Sequence, residues 1–164
     1  TKPIVAMLHG YVIGSGVEMA FACDIRIASS NAIFRMPEVA LGMLPAAGGT
    51  QTLQRIIGIG PALDTLLTNK PLSSDEALKL GLVHKVVTNE ALMTEIELTS
   101  QTLASYDATT LALVKTAITS GLDMPLTAGL DMESRLSAIG WIGKKVDHSS
   151  LDSNTETFQN NSKE

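Results

Sequence analysis

The chain has 164 residues, 45% of them apolar and 18% charged, with a formal net charge of −5. This is enough chain for one domain with its own core, and the acidic balance argues against a nucleic-acid surface, which needs a basic patch. The apolar runs around Val17 and Leu63 are too short to span a bilayer, and a lone cysteine, Cys23, permits no internal disulfide and fits a reducing compartment.

The run Ile4-Val5-Ala6-Met7-Leu8 has no alternation and is predicted as a strand buried on both faces. Gly10, Gly14 and Gly16 then allow a sharp turn with uncovered backbone N–H groups. Val17 to Cys23 is apolar enough for a buried helix, in which Cys23 reads as a small hydrophobe rather than a nucleophile. A strand, a glycine turn and a helix start gather free N–H groups where an anion or a developing oxyanion would sit. One turn into that helix stands Glu18, a carboxylate among apolar neighbours. The spacing Ser15-x-x-Glu18 equally fits a capping box, a purely structural role.

Asp24 is expected to hold a turn. Ile25 to Ala28 reads as a strand, Ser29 to Asn31 as a turn, and Ala32 to Phe34 as a second short strand. Pro37 followed by Glu38 is good helix-start chemistry, which alone would explain that glutamate structurally. Gly48-Gly49-Thr50 opens a helix ended by Gly58, and Ala62 to Leu67 forms another. Ser73-Ser74-Asp75-Glu76 caps a short helix stopped by Gly81. Val83 to Val87 is predicted as a strand with His84 on its exposed side. Helices follow at about 90–104 and 108–121, and a last one starts at Pro125. Between Lys144 and Glu164 only Val146, Leu151 and Phe158 are strongly apolar, so this polar tail is expected to be disordered. His9, His84 and His148 are too scattered for a metal site.

Two blocks carry a resemblance. The first is G-x-x-x-G-x-G-x-E-x-x-x-x-C-D, from Gly10 to Asp24; the second is F-x-x-P-E-x-x-L-G-x-x-P-x-x-G-G-T, from Phe34 to Thr50. Their glutamates stand 38 − 18 = 20 residues apart, and a third block runs through Leu66-Leu67-Thr68, Leu72 to Ala77 and Gly81-Leu82-Val83. Together they resemble the enoyl-CoA hydratase/isomerase (crotonase) family over about residues 2 to 135. The resemblance implies an α/β fold with a ββα-spiral core followed by C-terminal oligomerisation helices. The implied organisation is a partial crotonase-like domain over 1–143, with the spiral at about 1–105 and helices at about 106–143, then the tail 144–164. A sizeable portion that precedes this point in the family, with one of two oxyanion-hole N–H groups, has no counterpart here. The expectation is therefore an N-terminally truncated chain.

The same resemblance implies the chemistry. Enoyl thioester hydration needs a polarised thioester oxygen, an activated water at the β-carbon and a proton for the α-carbon. Glu18 would activate the water and Glu38 would exchange the α-proton; the Ser15 backbone N–H would serve the oxyanion hole, and Gly14, Gly16 and Ala46 would line the substrate. Family members with both glutamates are typically hydratases, so the expected activity is syn addition of water to a 2-enoyl-CoA. Alternatives are isomerase or other enolate chemistry, or an inactive acyl-CoA-binding or structural fragment. Two departures stand out: Ser15 and Ala46 occupy positions that are usually glycine in the family. No metal or other cofactor is expected, since CoA is part of the substrate. The expected partners are the acyl-CoA thioester and further copies of the chain in a trimer or hexamer, with neither nucleic acid nor a membrane span. The expected location is cytoplasmic, or mitochondrial.

Overall fold

A computed structural model describes residues 2–142, so the predicted tail 144–164 lies outside the described residues. They divide into two compact units between Ala112 and Leu113.

The first unit is built from paired short strands that step between two sheets. β1 (Val5–Leu8) and β2 (Tyr11–Ile13) lead into α1 (Ser15–Phe21); β3 (Ile25–Ser29) and β4 (Ile33–Arg35) repeat the step. A 3-10 turn (Glu38–Leu41), α2 (Gly49–Ile57) and α3 (Ile59–Thr68) follow, then β5 (Leu72–Ser73), α4 (Ser74–Lys79), β6 (Lys85–Val87) and α5 (Leu92–Ala104). One sheet has the order β1-β3-β6, with parallel pairing throughout. The other has the order β2-β4-β5, in which β4 runs parallel to β2 and antiparallel to β5. β1 to β4 thus join the two sheets alternately, β5 adds to the second sheet and β6 returns to the first, and the chain winds as a spiral. The corners stack on one another: Ile33 N–H donates to the Gly10 carbonyl at 2.8 Å, and Ser74 Oγ donates to the Ser30 carbonyl at 3.0 Å.

The space inside the spiral is filled by Val17, Phe34, Met36, Leu53, Leu82 and Val83, all almost fully buried. Met36, from the second block of the sequence, and Leu53 of α2 share a core cluster with Val17, Ala20 and Phe21 of α1, and α1 packs against α2.

Two expectations need correction. β1 is not buried on both faces: Met7 is 39% exposed whereas Leu8, on the other face, is buried, and the strand stands at the edge of its sheet among the described residues. α5 packs against β1. α1 ends at Phe21, so Cys23 lies beyond the helix and is only half-buried, its thiol donating to the Met19 carbonyl. Asp24, expected to hold a local turn, accepts the Ile4 N–H on its carboxylate at 2.7 Å, a bond to a residue 20 positions earlier in the chain.

β3 holds a residue that the alternation of its sequence would place outside. Arg26 is only 6% exposed; its Nε donates to the Leu82 carbonyl at 2.6 Å and its Nη1 to the Cys23 carbonyl at 2.8 Å. His84 is exposed, as expected, but its Nδ1 accepts the Arg26 backbone N–H at 2.9 Å. Burial and the Arg26 charge both push the His84 imidazole below its ordinary pKa, which keeps that nitrogen free to accept.

The second unit contains most of α6 (Ala108–Gly121) and α7 (Leu126–Trp141), the latter opened by Pro125 as expected. They approach closely at Gly140, where a Cβ would stand 3.3 Å from Leu113 Cδ1. No residue of either helix is buried. Among the described residues no helix is long and apolar enough to cross a membrane.

Candidate active site

The site starts from a backbone conformation that only glycine adopts easily. Gly14 sits at φ 54°, ψ −122°, and caps α1. Its own N–H donates to the Arg35 carbonyl at 2.8 Å, tying the turn to the end of β4. The intrahelical ladder starts with Val17 and Glu18, whose N–H groups both reach the Gly14 carbonyl. The Ser15 and Gly16 N–H groups therefore precede it, at the exposed entrance to the helix.

With Gly14 as the cap, Ser15 is already helical and Glu18 lies one position too far along for a capping box. No side chain caps α1. Instead, Glu18 is 4% exposed and crosses to the next structural layer, where its Oε1 accepts the Ala47 N–H at 3.0 Å and the Gly49 N–H at 2.8 Å. Gly49 is the first residue of α2, following Gly48 at φ 104°. A carboxylate at a helix N-terminus satisfies donors the helix cannot satisfy itself. The fit leaves no room for a side chain: a Cβ on Gly49 would lie 2.8 Å from Glu18 Oε1 and still closer to Met36.

Glu38 approaches the same end of α1 from the other side. It opens the 3-10 turn after Pro37 and is half-buried. A Cβ on Gly14 would stand 2.9 Å from Glu38 Oε1, while Glu38 Oε2 is buried and lacks a hydrogen-bond partner. An unpaired buried carboxylate oxygen is costly in a folded chain and marks a group kept for a ligand, a water or a proton. Glu38 also forms part of the wall of a cleft of about 280 Å³ between the 3-10 turn and α3. Met43 and Leu44 line one side, Ile59, Leu63 and Leu67 the other.

Of the residues singled out from the sequence, Glu18, Glu38, Gly14, Ser15 and Gly16 gather at the start of α1. Ala46 is exposed and makes no bond to either carboxylate; the donors to Glu18 are its neighbours Ala47 and Gly49. These two N–H groups were not foreseen. The available signal was the glycine pair itself, which announces a helix start with unsatisfied donors facing a carboxylate that has no local partner. Among the described residues, no group of three or more His, Cys, Asp or Glu is arranged to hold a metal ion.

The sequence profile described as enoyl-CoA hydratase/isomerase matches residues 1–159. The chain belongs to that family. It is 43% identical over 135 residues to a protein of Dictyostelium discoideum named probable enoyl-CoA hydratase, mitochondrial, covering 82% of this chain and 49% of that one. It is 42% identical over 133 residues to the short-chain-enoyl-CoA hydratase of Clostridium acetobutylicum, covering 81% and 51%. The crystal structure of an enoyl-CoA hydratase from Bacillus anthracis superposes with a TM-score of 0.86 at 35% identity, over 94% of this chain and 60% of that one. The fold is thus the crotonase fold that the motifs implied. The chain spans about half the length of these two sequence relatives.

Proposed function

We propose that the chain carries the acid–base pair of an enoyl-CoA hydratase. The observation behind this reading is the contrast between two carboxylates at one helix end: Glu18 is fixed by two backbone N–H groups, and Glu38 keeps a buried oxygen without a partner. Relatives named as hydratases support it, and an apolar cleft beside Glu38 suits a thioester with a hydrocarbon tail.

In this reading the Ser15 N–H polarises the thioester oxygen as enolate charge develops. Glu18 takes one proton from a water whose oxygen bonds to the β-carbon. Glu38 delivers a proton to the α-carbon, so that the substrate gains one water overall. The pair resets when Glu18 releases its proton and Glu38 regains one. Gly14 and Gly16 keep side chains away from the thioester, and Ala46 lies alongside the water. CoA enters only as part of the substrate.

The test is loss of enoyl absorbance when the full-length protein meets crotonyl-CoA. Steady hydration is expected. A folded protein that leaves crotonyl-CoA untouched but shifts the double bond of a 3-enoyl-CoA would replace this reading with isomerase chemistry.

The reading extends to assembly as a homo-oligomer. Val114, Ile118 and Leu122 repeat every four residues along α6 and its end, and all are more than half exposed. Sedimentation at micromolar concentration is expected to find a trimer or a hexamer; a monomer alone would overturn the extension.

A further inference from the structure

We propose that the hydrogen bond between Arg35 and Asn69 is a positioning clamp: it fixes the end of β4, and through it the Gly14 turn and Glu38, in the arrangement the reaction needs. The clamp itself rests on the geometry around Arg35, and its link to turnover rests on the hydratase reading.

Asn69 is the anomaly that leads to it. Among the described residues six glycines have positive φ, and Asn69, at φ 55°, is the one residue of another type that does. It ends α3 in the left-handed conformation, with ψ at 30°. Asparagine tolerates that region better than most side chains, but glycine enters it without a steric penalty. Asparagine here adds an amide, and the amide is used: its Oδ1 accepts the Arg35 Nε–H at 2.9 Å. The two residues are 34 positions apart, so the bond is not a local helix cap.

Arg35 is the last residue of β4 and works in two directions. Its carbonyl accepts the Gly14 N–H at 2.8 Å, the bond that ties the turn before α1 to this strand. Toward β5 the pairing ends at Phe34 and Leu72. The next residue on that side is Pro71, which has no N–H to donate. The side-chain bond to Asn69 takes the place of the missing rung. Beyond Arg35 come Met36, buried in the core, then Pro37 and Glu38. The segment carrying Glu38 therefore leaves β4 from a point tied to the Gly14 turn on one side and to the end of α3 on the other. Glu38 Oε1 lies so near Gly14 that an added Cβ there would meet it at 2.9 Å. A small shift of the strand end thus changes the spacing between turn and carboxylate. Neither Arg35 nor Asn69 lines the cleft beside Glu38, so losing the bond acts through geometry and not through contact with a ligand.

The clamp is tested in the full-length protein. Asn69→Gly removes the amide and leaves the left-handed backbone unstrained. Arg35→Met removes the donors and keeps an unbranched apolar stem. One hydrogen bond corresponds to a rate change of about three- to tenfold. Each variant is expected to lower kcat for crotonyl-CoA by that factor, with KM within about twofold. Asn69→Asp keeps the accepting oxygen and is expected to hold kcat within about twofold of the parent. The double variant is expected to be no slower than the slower single one, because both changes remove the same bond. An unchanged kcat in either single variant, even with a lowered urea midpoint, would make the bond merely structural and overturn the clamp. Losses that add in the double variant would overturn it too. Hydrogen exchange separates the clamp from the chemistry. In both single variants the peptide over 11–17, which contains the Gly14 N–H, is expected to exchange about three- to tenfold faster, with the peptide over 25–31 at the parent rate. Faster exchange over 11–17 in a protein that hydrates nothing would uphold the clamp on the turn and refute the hydratase reading. Unchanged exchange there would overturn the clamp even if crotonyl-CoA is hydrated.

Discussion

Among the described residues the same four-residue pattern, Ser-x-x-Glu, occurs twice, as Ser15-Gly16-Val17-Glu18 and Ser73-Ser74-Asp75-Glu76, with opposite outcomes. At the second, Ser73 adopts extended backbone, its hydroxyl accepts the Glu76 N–H, and the Glu76 carboxylate accepts the Ser73 N–H at 2.9 Å: a complete capping box. At the first, Gly14 takes the cap position with a conformation that L-residues avoid, and the register of the helix moves by one residue. Glu18 is then carried off the helix end and into the interior. One glycine therefore decides whether a glutamate closes its own helix or becomes free to serve a distant loop. Identical side-chain spacing does not imply identical chemistry; the backbone of the preceding residue does the selecting.

The sharpest way to separate the two sites is activity. Glu18→Gln is expected to reduce hydration of crotonyl-CoA by about 10²–10⁴-fold, because the amide keeps the shape but cannot take the proton. Glu76→Gln is expected to leave turnover unchanged, since glutamine serves in a capping box. Steady-state rates of the two purified full-length variants settle this. Equal rates in both would make Glu18 a structural residue like its counterpart.

Stability sharpens the same contrast at the glycine. Gly14→Ala forces an L-residue to positive φ and puts a methyl 2.9 Å from Glu38 Oε1. Gly10 is the control: φ is 59° there, but nothing lies within 4 Å of an added Cβ. Gly10→Ala should cost only the backbone penalty, about 1–2 kcal/mol. Gly14→Ala should cost that plus the clash, about 3 kcal/mol or more in urea unfolding. Equal costs would mean that Glu38 swings away freely and is not held against the helix start.

What was legible in the sequence follows from the range of the interactions involved. The caps of α2, α4 and α7 were readable because glycine, serine and proline act within a few residues. The glutamates were readable as a pair only through the ordered motifs, and each had an adequate local explanation. The donors that hold Glu18 were not readable: Ala47 and Gly49 lie 29 and 31 residues away, and a backbone N–H has no signature of its own. Arg26 was not readable as a buried residue for the same reason. Its sequence alternates like a half-exposed strand, yet its guanidinium is buried by carbonyls from Cys23 and from Leu82, which arrives only when β6 closes the sheet. β1 failed differently, because an apolar run says that a strand is covered without saying on which side.

The smallest effects lie at the capping box, and pH isolates them. Ser73→Ala removes a cap and should cost about 1 kcal/mol, whereas Ser15→Ala, at an exposed position inside its helix, should change stability by less than about 0.5 kcal/mol. The charge in the box is read through Glu76. The Ser73 backbone N–H, then the Ser73 hydroxyl, then Lys70 hold its carboxyl below the ordinary glutamate value of 4.5. A carboxyl lowered on folding stabilises the folded state when ionised in both states, at pH above that ordinary value. As pH falls below it, the unfolded chain takes up the proton first, and the contribution shrinks until the folded carboxyl also protonates. The side chain is 43% exposed, so solvent screens the effect. Urea midpoints at pH 7 and pH 3 are therefore expected to show the parent above Glu76→Gln at neutral pH by a small margin, with the two converging in acid. A margin that persists unchanged at pH 3 would mean that the box holds by shape and hydrogen bonding alone, with no contribution from the charge.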